Sequence, residues 1–177
     1  VIFKLFDVLK INTLQAIVVN YLDAFSVGLL SADRIIPPSE IIEKEWFIGA
    51  FLLGLLFIFV FNVMALTSQI NGLSVASVSS KMSVVMPIIF GFVVYNESAG
   101  ILKITGILMA LVAVYLTSIK NSKDSFDKKH LLYPLLVFFG SGCIDTSLKY
   151  VETTYVGDEG VPIFSATIFA FAFVFGI

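Results

Sequence analysis

Charged residues are few in this chain: Asp, Glu, Lys and Arg make up 14% of its 177 residues, where a soluble domain carries roughly a quarter. Cysteine is nearly absent as well. The single Cys143 excludes an internal disulfide framework and any cysteine-based metal cluster. Histidine occurs once, as His130, in a lysine-rich link where it reads as a solvated loop residue. No glycine is followed by lysine, so there is no P-loop, and HExxH, GxSxG and CxxC are all missing. An enzyme would need an unfamiliar carboxylate or lysine arrangement; none is expected, and neither is a metal or a cofactor. The formal net charge of −2 arises from charges confined to the gaps between apolar runs, and no nucleic-acid partner is expected.

Apolar side chains fill the space that charge leaves. Hydrophobic residues make up 58% of the chain, and its 18 phenylalanines outnumber either the acids or the bases. With a mean hydropathy of +0.99, the composition is that of a membrane protein. No basic start with a small-residue cleavage site marks a signal peptide. The opening "VIFKLF" reads as the last turns of a helix, and "VPIFSATIFAFAFVFGI" has no charged flank to close it. A piece of a longer polytopic protein is the expectation.

A ruler of about 20 residues per span divides the chain. A first helix ends within residues 1–8, and "TLQAIVVNYLDAFSVGLL" is a second span. In the link "SADRIIPPSEIIEKEW", the Pro-Pro pair breaks the chain. Ser39 with Glu40 and Glu43 is placed to start the next helix by capping and by its dipole. The third span runs from Phe47 to about Ser68, with Trp46 as an interfacial anchor; the fourth is Leu73 to Tyr95 and the fifth Gly100 to Ile119. After the hydrophilic link "KNSKDSFDKKH", a sixth span covers Leu131 to about Val151 and a seventh begins at Val161. The other links are short, so neighbouring helices are expected to lie antiparallel.

Polar residues inside such spans are costly, which makes them candidates for function. At about 1.5 Å of rise per residue, Lys81 lies roughly 12 Å from the face carrying "KNSKDSFDKKH", Asp23 roughly 14 Å and Asn62 roughly 9 Å. Asn20 shares the helical face of Asp23, and Lys4 sits about a turn from the same side. Ser74 and Ser77 stand at i−7 and i−4 from Lys81, so the three form one polar stripe that should turn from lipid towards a neighbour or a cavity. Two blander readings compete: a structural Lys81–Asp23 ion pair, and a lysine that snorkels to the interface. The serines serve close packing as readily as binding. In "GSGCIDTSLKY", Asp145 and Lys149 have the acid-first i, i+4 spacing of a pair that neutralises itself. Gly140 and Gly142, and Gly106 with Ala110, would let helices approach closely. Pro87, at the middle of the fourth span, removes a backbone hydrogen bond and is the expected bending point.

"VIFKLF" and "DTSLKYV" each place a lysine near the close of a span that is followed by a short link and another apolar run. Five spans separate them, an odd number, so the two copies would point in opposite directions, as in an inverted-topology repeat. The stretch "SVASVSSKMSVVMPIIFGFVVYNESAGILKITGILMALVAVYLTS" resembles the last two helices of an EamA-type repeat of the drug/metabolite transporter superfamily. Pro87, Glu97, Gly100 and Gly106 match that pattern, as do Lys4 and Lys149 at the ends of the first and sixth helices. The resemblance implies an all-α polytopic membrane bundle of ten helices in two inverted five-helix repeats. Residues 1–120 would be the first repeat without most of its first helix, 121–130 a connecting loop, and 131–177 the start of the second. It implies a secondary transporter, an exporter of small metabolites, in the bacterial cytoplasmic (inner) membrane. Such a permease would work by alternating access through a central cavity, with the proton as a candidate coupling ion. A membrane scaffold or partner subunit that transports nothing is the alternative. The family places links such as "SADRII" in the cytoplasm, whereas the loop lysines Lys10, Lys120, Lys123, Lys128 and Lys129 favour the opposite face. We follow the family, because Asp124 and Asp127 dilute that basic link.

Overall fold

A computed structural model describes residues 13–32, 37–94, 100–119, 128–157 and 160–177. The expected first helix with Lys4, and Lys10, Arg34, Glu97 and the link at 120–127, lie outside the described residues. The described residues are 90% helical, with no strand among them. We number the helices α1 (Thr13–Leu30), α2 (Pro38–Ile42), α3 (Phe47–Ile70), α4 (Leu73–Met82), α5 (Val85–Val94), α6 (Ile101–Ile119), α7 (Lys128–Val151) and α8 (Val161–Gly176). A π-helical turn, Glu152–Val156, follows α7 and ends at Gly157, whose φ of 67° suits a residue without a Cβ. Among the described residues, two stretches are long and apolar enough to cross a membrane: Phe47–Ile70, and Leu73–Val94, which combines α4 and α5.

The link before α3 differs from expectation. Pro37, at φ −64° and ψ 149°, precedes the five-residue α2, and Pro38 takes its first position; Ser39 does not cap a span. Proline's fixed φ suits the first helical position, and the residue before a proline is held extended, so the Pro-Pro pair itself sets where this helix begins. Trp46 also departs from its expected interfacial place. It is 5% exposed and sits edge-to-face on Phe164, with ring centroids 5.4 Å apart.

The chain divides into two compact units. One unit combines Asn12–Phe61 with Ser147–Ile177. In it α1 packs along α8, and Trp46, Ala50, Leu53, Val151, Ile163, Phe164 and Ile168 form the core. A Cβ added to Gly28 would lie 2.9 Å from the Ala166 Cβ, so these helices touch almost backbone to backbone. Phe51 meets Phe171 and Phe175 edge-to-face at 5.3 and 5.1 Å, and Tyr21 packs between Phe61 and Phe169. Such ring pairs contribute about 0.5–1.5 kcal/mol each beyond their buried area.

The other unit contains Asn62–Thr146. Here α4 packs on α6, and Val85 with Phe138 forms a small core that Val78, Met82, Met86, Ile107 and Ala110 surround. A Cβ on Gly142 would run into the Met86 side chain, so α7 and α5 approach closely at that residue. Gly106, expected at a close contact, faces open space instead.

Candidate functional site

The fourth apolar stretch is not one helix. A turn at Ser83–Val84 interrupts the helical hydrogen bonding, although Ser83 keeps right-handed helical dihedrals (φ −59°, ψ −18°), and α4 and α5 are separated by this break. Pro87 accounts for its position. In a continuous helix the residue-87 N–H would bond the Ser83 carbonyl, but proline has no N–H and its ring crowds that carbonyl. The Met86 N–H serves the Ser83 carbonyl instead, at 2.9 Å. Within α5, Pro87 is the third residue, where a missing N–H costs little because the first-turn N–H groups have no intrahelical acceptor.

Helix α4 carries two polar faces. Ser74, Ser77 and Lys81 share the outer one, and all three are exposed. About 100° of turn per residue places Ser79 and Ser83 on the opposite side, next to Val75 and Ala76, and these four are buried. The inner face meets α7. The Ser141 hydroxyl donates to the Ser80 hydroxyl at 3.5 Å, and the Ser83 hydroxyl donates to the Ser80 carbonyl at 2.5 Å. The Asp145 side chain hydrogen bonds with Ser83, and Thr146 donates back to the Gly142 carbonyl of its own helix at 2.7 Å. Ser79 is 1% exposed and its hydroxyl has no hydrogen-bond partner. Hydroxyls and a carboxylate thus gather at the break, while Val85, Phe138, Met82 and Met86 form an apolar wall beside them.

The remaining candidates are dispersed. Asn20 and Asp23 are exposed on α1 and belong to the other unit, as does the exposed Lys149 near the end of α7. Asp145 is also exposed, one turn before Lys149. Asn62 on α3 is half-buried and engaged in an interaction of its own. Sequence reasoning singled out Ser74 and Ser77 but passed over Ser79, Ser80, Ser83 and Ser141. The signal was present in "SVSSKMS": a serine run this dense supplies hydroxyls to both sides of a helix, whereas periodicity counted from Lys81 follows one side only.

A protein of Haemophilus influenzae, itself described as uncharacterized, is 30% identical to this chain over 143 residues. The match covers 77% of this chain and 49% of the relative, so the chain spans about half the length of the curated relative it matches. No family model matches. No solved structure matches.

Proposed function

We propose that this chain is part of a secondary transporter, a multi-pass protein of the bacterial cytoplasmic membrane that exports small metabolites by alternating access. The observation that carries the reading is the break in Leu73–Val94, with Ser79, Ser80, Ser83, Ser141 and Asp145 gathered at it. Irregular backbone inside a bilayer is tolerated only where it is buried in protein or lines a cavity, and broken helices beside such cavities are how carriers build central sites. Helix α3 supports the membrane setting, because Ile48, Leu52, Leu55 and Phe59 are exposed on a helix that is apolar all round. The EamA-type architecture of ten helices in inverted repeats belongs to the same proposal.

In this reading the outer stripe of Ser74, Ser77 and Lys81 faces the transport cavity, because a lysine roughly 12 Å deep facing lipid would be costly. The test is efflux of candidate metabolites from loaded proteoliposomes. Lys81→Met keeps the apolar stem and removes the charge; it should insert and fold normally yet lose transport, and adding Asp23→Asn should not restore it. An unstable single variant with an active double variant would show that the lysine only neutralises Asp23. Wild-type vesicles that transport nothing would favour the scaffold reading.

A further inference from the structure

A hydroxyl on a helix commonly hands its hydrogen back to its own backbone. Thr67, Ser68, Ser83 and Thr146 do so here, each to a carbonyl three or four residues earlier. The inner face of α4 holds exceptions. Ser79 is 1% exposed and its hydroxyl has no partner, while Ser141 of α7 turns from its own helix to Ser80. That contact, at 3.5 Å, is long for a hydroxyl pair, which prefers about 2.7–2.8 Å. It matches the spacing of two ligands on one ion. A cation the size of sodium or calcium holds its oxygens at about 2.3–2.6 Å, so ligands at right angles stand about 3.3–3.7 Å apart.

We propose that the serines at the break form a sodium site. The hydroxyl oxygens of Ser79, Ser80 and Ser141 are its side-chain ligands, and carbonyl oxygens of the last α4 turn complete the shell. Each hydroxyl can still give its hydrogen to the carbonyl four residues back, as Thr67 does, and aim its lone pairs at the ion. Ser79 gains a partner for an oxygen that otherwise has none.

Electrostatics at this place favour a cation. Helix α4 ends at Met82, so the negative end of its dipole meets the cluster, and carriers with broken helices use such ends to coordinate ions. Asp145 follows Ser141 by one turn on α7 and adds negative charge, whereas Lys81 projects from the opposite, exposed face of α4. One carboxylate among neutral oxygens suits a monovalent ion; calcium sites gather several carboxylates. Because α4 supplies two ligands and α7 the third, the bound ion ties the end of α4 to α7 just before the segment that must bend. Binding of the ion does not rest on the proposed function, but its use to drive transport does.

Thermal unfolding of the purified 177-residue protein in lipid nanodiscs tests the site, with choline chloride replacing sodium chloride at constant ionic strength. Wild type should unfold at a rising, saturating temperature as sodium increases, and the larger potassium ion should protect less. Ser79→Ala and Ser141→Ala should unfold close to wild type in choline and gain nothing from sodium. Thr105→Ala, which removes a hydroxyl bonded to its own Leu102 carbonyl on exposed α6, should gain as wild type does. Should an alanine variant fail to fold, Ser79→Cys keeps the shape but sets a soft sulfur in place of a hard oxygen, and it should bind radioactive sodium about tenfold more weakly. Sodium that protects no better than choline or potassium, or that protects the Ser79 and Ser141 variants as well as wild type, would overturn the proposal and leave these serines to packing. So would undiminished sodium binding by Ser79→Cys. In proteoliposomes with an imposed sodium gradient, wild-type efflux should follow the gradient. Efflux that ignores it overturns the coupling, whereas wild type that transports nothing overturns only the transporter reading.

Discussion

The two units bury different chemistry. The interior of the first is aromatic and aliphatic, built on Trp46, Phe164 and Ile168, with Tyr21 and Thr167 as its buried polar residues. The second buries Thr67, Ser68, Asn71, Ser79, Ser83 and Ser141 beside mostly aliphatic side chains such as Val63, Val75, Val85, Val137 and Ile144. Interlocked rings have one good arrangement, and leaving it forfeits many contacts at once. A hydroxyl can exchange one acceptor for another by rotating about a single bond. Rigidity therefore belongs to the aromatic unit, and adjustable bonding belongs to the serine-lined break.

The strongest way to break that comparison is to cut into the aromatic core. Phe164 is 0% exposed and supports Trp46, so Phe164→Ala should cost about 3–5 kcal/mol in denaturant unfolding of the detergent-solubilised protein. A loss under about 1 kcal/mol would mean that the unit is loosely packed, and the contrast between the two would collapse.

Long apolar runs were the legible part of this fold. Phe47–Ile70 and Leu73–Val94 announce themselves by length and composition, and the start of α8 at Val161 follows from its Pro162 and the apolar run behind it. Trp46 was not legible, because an indole beside charged residues suits an interface and a core equally until Phe164 is known to lie against it. The inner serines were missed for a related reason. A helix with hydroxyls on two faces has no single polar direction, and only Ser141 of α7, some sixty residues away in sequence, marks which face is enclosed.

Pro87→Ala tests the other half of the comparison and should have a smaller effect. An alanine N–H at position 87 can take the Ser83 carbonyl from Met86, closing the break and joining α4 to α5. Because Pro87 already sits in the first turn of α5, the gain in unfolding stability should be about 1 kcal/mol rather than the ~3 kcal/mol of a mid-helix proline. Vesicle efflux should slow while insertion stays normal. Unchanged efflux would reduce the break to a tolerated irregularity.

Ser79→Ala should perturb stability least. Thr67 and Ser68 give their hydroxyls to carbonyls of their own helix, at 2.6 and 2.7 Å, but the buried Ser79 hydroxyl makes no such bond. Deleting a bonded buried hydroxyl usually costs about 1 kcal/mol, whereas deleting an unbonded one removes a desolvation penalty. Unfolding of Ser79→Ala should therefore match wild type within about 0.5 kcal/mol or shift towards greater stability. A loss above about 1 kcal/mol would mean that the hydroxyl is bonded in the folded protein, and the inner face would be a finished structural seam. Unchanged stability with slowed efflux would sharpen the comparison, because a hydroxyl that contributes nothing to folding yet matters to transport has its partner in the substrate path.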